Sequence, residues 1–273
     1  MVPSWPSGYI ALDWVEGIEA RYQYNSLDEF SVLQVLKYIA LMNAKTFDQK
    51  QLEDVFPLNI RESMDGKFIN SKNNAERLDK YLERCPERKD QIEIFKNFSK
   101  IYDEPEKVQR LRAALAYNKK ALTHGDLTQQ NVFWRRDSSG NLGLVAIHDW
   151  QATHFGNPLA DLARFLGIAL SPNELKDNIN HYLEFYFKEF TSNLPEEIKN
   201  PWQDLEDFIS CFEQMFCLVT TSLISILISF GPLVTRTAEE TEKPAREKEF
   251  NEKVDSIADY LQKCIEKWFH SNK

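Results

Sequence analysis

Twenty consecutive residues, Met215 to Val234, carry no charge, and a stretch of that kind must be hidden from water on nearly every side. It can lie in a bilayer or in the middle of a protein built mostly of helices. Thr220, Thr221, Ser222, Ser225 and Ser229 interrupt its apolar character, and Gly231-Pro232 is expected to break it near its end. The unbroken part would then be about 24 Å long, against the ~30 Å that a spanning helix needs. The reading is a central core helix rather than a membrane anchor.

The surrounding pattern agrees with a helical protein. Ser26 or Asp28 can cap a helix running to about Lys45, with Phe30, Leu33, Leu36 and Ala40 on one stripe and Val32, Val35 and Ile39 beside it. Asp48–Phe56 reads as a short helix stopped by Pro57, and residues 61–73 as a polar loop. Helices follow at about 74–84 and 89–101. Asp103-Glu104-Pro105 opens another that runs to about Tyr117, with acids at the positive dipole end and Pro near N1. Toward the C-terminus, Pro172 precedes Leu175, Ile179, Leu183, Tyr186 and Phe190 at helical spacing. Trp202–Phe230 is a long apolar helix, and Phe250, Val254, Ile257, Leu261, Ile265 and Trp268 form a last stripe. Gly8–Glu16 alternates weakly and reads as a strand. No linker divides the 273 residues, so the expectation is one mostly α-helical α+β unit.

Charge and cysteines narrow the partners. A formal charge of −9 argues against nucleic acid and against anionic lipid. Cys85, Cys211, Cys217 and Cys264 have neither zinc-pair nor redox spacing and read as reduced, buried thiols. With no basic start and no apolar leader at the first residues, the expectation is a cytoplasmic protein without membrane attachment.

The helical pattern stops in the middle. From Thr123 the chain reads His124-Gly125-Asp126, then Asn131-Val132-Phe133-Trp134, a turn at Ser138–Asn141, and Leu144–Ile147 leading into His148-Asp149-Trp150. Gly156-Asn157-Pro158 opens a helix carrying Asp161, with Leu159, Leu162, Ala163 and Leu166 on one face. Two short strands joined by a turn would bring Asn131 and Asp149 together beside Asp126. A carboxylate that can accept a hydroxyl proton, and an amide oxygen with a second carboxylate for a hard divalent cation, are the parts phosphoryl transfer needs. Isolated Asp and Asn residues are commonly turn or cap residues, and only the set as a whole suggests chemistry. His148 and His154 offer no metal geometry, and Trp14, Trp134 and Trp150 read as core.

His124-Gly125-Asp126-x-x-x-x-Asn131, Ile147-His148-Asp149-Trp150-Gln151 and Gly156-x-Pro158-x-x-Asp161-Leu162 together resemble the protein-kinase-like small-molecule kinases. These include aminoglycoside phosphotransferases, choline kinases and, most similar, the CHK kinase-like group related to ecdysteroid kinases. The resemblance implies a kinase-like large (C-terminal) lobe over residues 1–273, with a hinge at about 8–17 that meets adenine and a small catalytic-loop hairpin. It implies Asp126 as catalytic base, Asn131 and Asp149 as Mg²⁺ ligands, and His124 and Asp161 as braces of the loop. It also implies ATP as co-substrate and a small hydroxylated acceptor. Thr128 stands where that group often has Trp, and Asn43 where it often has His. The Gly-rich loop and strand lysine of the smaller lobe are not found ahead of the hinge, so weak or no kinase activity is expected of this chain alone. A non-catalytic role as binding or regulatory partner of another protein is the competing expectation.

Overall fold

The computed structural model describes residues 15–56, 63–236 and 238–269. Of the Gly8–Glu16 strand and the 8–17 hinge, all before Val15 lies outside the described residues, as does Trp14. Val15 and Glu16 are not in a strand, and the first sheet contact is an isolated bridge in which Glu19 N donates to Trp134 O at 2.7 Å.

Helix α1 (Glu29–Thr46) starts where Asp28 accepts a hydrogen bond from Ser31 N, satisfying one of the free amides of the first turn. Val32, Val35, Leu36, Ile39 and Ala40 are buried as the periodicity requires, whereas Phe30 is half exposed, because it belongs to the opposite face of the turn. Short α2 (Gln51–Val55) follows. The polar stretch is not loop to its end: Asn70 caps α3 (Ser71–Arg84) through Asn73 N. Helix α4 (Lys89–Ser99) buries Ile92 and Phe95, and α5 (Pro105–Ala114) has its proline at the first turn. The α5 helix stops short of Tyr117, which with Asn118 adopts positive φ and turns the chain into the first strand.

Among the described residues, four short strands interrupt the helices. β1 (Ala121–Thr123) pairs antiparallel with β4 (His154–Gly156), and between them β2 (Val132–Arg136) pairs antiparallel with β3 (Leu142–Ile147). The hairpin turn is held by Asp137, whose carboxylate accepts from Ser139 N and Asn141 N. The β3 backbone is covered by α1: Ser31 Oγ donates to Leu142 O, and Leu144 N donates to Gln34 Oε1. Asn43, on the same helix, donates to Leu122 O of β1 and accepts from the Tyr186 hydroxyl. The residue that departs from the resembled pattern is therefore a buried bracket between helix and strand.

Helix α6 (Leu159–Ala169) has almost no solvent face; nine of its residues are buried. After a π-helical turn at Glu174–Asn178, where a continuous helix was expected, α7 (Ile179–Asn193) buries Tyr182, Leu183, Tyr186 and Phe190 against α1. Trp202 is buried but precedes the next helix rather than belonging to it.

Helix α8 (Leu205–Val234) corrects the expected break. It runs through Gly231-Pro232 to Val234, about 45 Å at ~1.5 Å per residue. By length and composition it is the one helix among the described residues that could cross a bilayer, yet most of its apolar window lies inside the protein. It packs on α6, α3 and the last helix, α9 (Lys243–Phe269). Burial of α8 residues from Phe208 to Ile228 meets its need for shelter, while its acidic first turn at Glu206 and its last turns, with Phe230 and Leu233, reach the surface. The architecture is the mostly helical α+β arrangement expected, with two small antiparallel sheets among the described residues.

Candidate active site

The catalytic-type loop lies between β1 and β2 and is pinned from three directions. Asp161, on the first turn of α6 and 2% exposed, accepts from His124 N at 2.5 Å and from Gly125 N at 2.9 Å. Two amides that would otherwise be buried without partners are thereby bound to a carboxylate, the stronger kind of hydrogen bond. The His124 ring spans the site. Its Nδ1 accepts from Asp126 N at 3.2 Å, so the proton belongs on Nε2, which donates to His148 O at 2.8 Å. His124 thus couples the residue before Asp149 to the backbone of Asp126. Third, Asn131 Nδ2 donates to Asp126 O at 2.8 Å, and His148 N donates to Asn131 O at 3.0 Å.

Gly125 is required by this geometry. Its φ is +85°, and a Cβ built there would sit 2.2 Å from the backbone oxygen of Ala152. The loop is seated directly on the chain that follows Asp149.

All three predicted site residues come to one end of the β2–β3 hairpin. Val132 pairs with Ile147, so Asn131 and Asp149 flank the strand ends. Asp149 has φ 64° and ψ 53°, a left-handed conformation uncommon for residues other than glycine, and its side chain is exposed. It has no hydrogen bond or ion pair among the described residues. Asn131 is buried, with its amide nitrogen committed to Asp126. His148 stacks on Phe133 at 4.1 Å between centroids. Burial pushes its pKa below the usual imidazole value, against the pull of the Asp149 carboxylate, and keeps the ring neutral at pH 7.

Sequence reasoning missed Arg164. Its Nη1 lies 3.0 Å from Asp126 Oδ1, the guanidinium mostly buried and the carboxylate half exposed. The signal was present: Arg164 follows Asp161 by three residues, so both reach the loop from one face of α6, one to its backbone and the other to its acid. Trp134 is core as expected, its Nε1 donating to Gln129 O. Trp150 is partly buried and donates to Ile147 O. His154 hydrogen-bonds Ala152 O, and no group of three or more His, Cys, Asp or Glu side chains able to hold a metal occurs among the described residues.

The donor set suits a hard cation nonetheless, since Asn131 supplies an amide oxygen and Asp149 an uncommitted carboxylate, the oxygen ligands magnesium takes. With this geometry in place, the family model DUF1679, described as "Uncharacterized oxidoreductase dhs-27", matches residues 5–273. The chain belongs to this family. No curated protein matches it. Among solved structures it is similar to a Ralstonia eutropha JMP134 protein provisionally classed as an aminoglycoside phosphotransferase, at 14% identity and a TM-score of 0.40, covering 92% of this chain and 72% of that one.

Proposed function

We propose that this chain is the large lobe of a kinase-like small-molecule phosphotransferase of the CHK type, acting on a hydroxyl of a small acceptor with ATP and Mg²⁺. The observation that carries the reading is the convergence of three separated motifs on one loop. Asp161 fixes the backbone before Asp126, and the His124 ring ties Asp126 to the His148-Asp149 turn. Asp126 is the group that receives the acceptor's hydroxyl proton. Its Oδ1 is held by Arg164 and its Oδ2 faces Asn131 at 3.4 Å, which orients the carboxylate. Asn131 and Asp149 would hold Mg²⁺, and the bound ion would supply neutralising charge to the phosphates. The neutral ring of His148 adds no positive charge that would compete with the cation. The family description speaks of an oxidoreductase; the sheets among the described residues are two-stranded and antiparallel rather than the parallel sheet of a dinucleotide-binding fold, and the oxygen donor set suits phosphoryl transfer.

Thermal shift and calorimetry with ATP, with and without Mg²⁺, test this. Saturable binding that requires Mg²⁺ and is lost in Asp149→Ala supports the phosphotransferase reading. Identical behaviour with and without Mg²⁺ would reject it in favour of a non-catalytic binding role.

A further inference from the structure

Asp126 opens onto a cavity of about 350 Å³ whose far wall is apolar, made by Leu223, Ile226, Leu227 and Phe230 of α8. A second cavity of about 300 Å³ adjoins it through Gln23 and Phe230 and is lined by Tyr22, Tyr24, Leu233 and Val234. Tyr22 and Tyr24 stack, with centroids 5.5 Å apart and planes within 7°. The exposed end of α8 thus borders both cavities, which share Gln23 and Phe230 and together make a trough beside the proposed base. Among the described lining residues of both cavities, Asp126 and Arg164 are the charged side chains, and they are paired with each other at 3.0 Å.

This composition restricts what the trough can take. A cationic acceptor gains from a free carboxylate, but the one carboxylate among the described lining residues already has its counter-ion. An ammonium beside the reacting hydroxyl would also meet the Arg164 guanidinium. An apolar body finds side-chain surface along its whole length.

We propose that Arg164 is a specificity-determining residue, and that the trough selects alcohols with an apolar body and no positive charge near the hydroxyl, rejecting amino alcohols. The proposal rests on the phosphotransferase reading for which hydroxyl reacts, but the charge selection is a binding property and can be measured without nucleotide.

Three probes of one shape separate the cases: decane-1,2-diol, 2-hydroxydecanoate and 2-aminodecan-1-ol, titrated calorimetrically into the full chain. The diol and the hydroxy acid are expected to bind at least tenfold more tightly than the amino alcohol. In Arg164→Gln, which frees Asp126, the amino alcohol should gain at least tenfold relative to the diol. Phe230→Ser, at a surface position, should weaken all three by about fivefold or more and leave their order unchanged. Amino alcohol binding tightest to the parent would mean the tyrosines capture cations, and would overturn the proposal. Equal affinities for the three probes, or an unchanged order in Arg164→Gln, would overturn it too. Selectivity without Mg²⁺-dependent ATP binding leaves the charge filter standing and removes the phosphotransferase reading. Mg²⁺-dependent ATP binding with the opposite selectivity does the reverse.

Discussion

Replacing Asp161 tests whether the loop is held as described. Its carboxylate accepts two amide hydrogen bonds inside a helix with almost no solvent face. Hydrogen bonds to a charged group contribute roughly 1.5–3 kcal/mol each, and an amide left buried without a partner forfeits its hydration as well. Against this, the carboxylate's own desolvation is relieved when it is removed. Asp161→Ala should therefore cost about 3–5 kcal/mol, a large share of the ~5–15 kcal/mol that holds a typical domain together. Asp161→Asn keeps the shape and one acceptor oxygen but turns an amide NH₂ toward the other N–H, for about 2–3 kcal/mol. Urea unfolding followed by tryptophan fluorescence gives both values. The denaturant slope should stay constant, so the loss appears as a lower midpoint. An asparagine variant within ~0.5 kcal/mol of the parent would refute the claim that the carboxylate anchors the loop.

Three further outcomes follow from the same geometry. Gly125→Ala places a methyl group against the Ala152 carbonyl at positive φ, so it should destabilise by roughly 2–4 kcal/mol and lower any ATP or acceptor affinity; a melting curve that matches the parent would contradict the close approach. Asp149→Ala, at an exposed side chain, should change stability by less than ~0.5 kcal/mol while abolishing Mg²⁺-dependent ATP binding, and a large drop in melting temperature would mean the residue is structural. Lys253 is buried and donates to Ile168 O at 2.7 Å, and burial lowers its pKa to about 7 from 10.5. The unfolded chain then holds the extra proton between about pH 7 and 10.5. Stability should consequently rise with pH relative to Lys253→Met by about 1.4 kcal/mol per unit within that window, and flatten below it. A stability difference independent of pH from 7.5 to 9.5, where proton uptake on unfolding should be strongest, would count against that assignment.

Much of this was legible because helices announce themselves by period. Val32, Val35, Ile39 and the Phe250–Ile265 stripe fell where spacing put them. The β2–β3 hairpin was readable from its turn. The β1–β4 pair was not: three residues per strand carry no pattern, and the pairing joins segments more than thirty positions apart. Gly231-Pro232 misled for a physical reason. A proline loses one helical hydrogen bond and strains the preceding turn, but Pro232 lies two residues from the last helical residue, Val234, so little helix follows it for that loss to disrupt. The placement of Asp126, Asn131 and Asp149 at one end of the hairpin was legible from the strand pattern. The ion pair of Asp126 was not, because its partner comes from α6, 38 positions later.

The way Asp161 holds the loop also bears on time. Amides bonded to a carboxylate on a helix enclosed by the core exchange with solvent only through openings that dismantle much of the protein. His124 and Gly125 should consequently be among the slowest-exchanging amides of the chain, persisting far longer than any turnover. The exposed tip of α8, where Phe230 and Leu233 face water, is by contrast a side of the trough whose rotamers can change in nanoseconds.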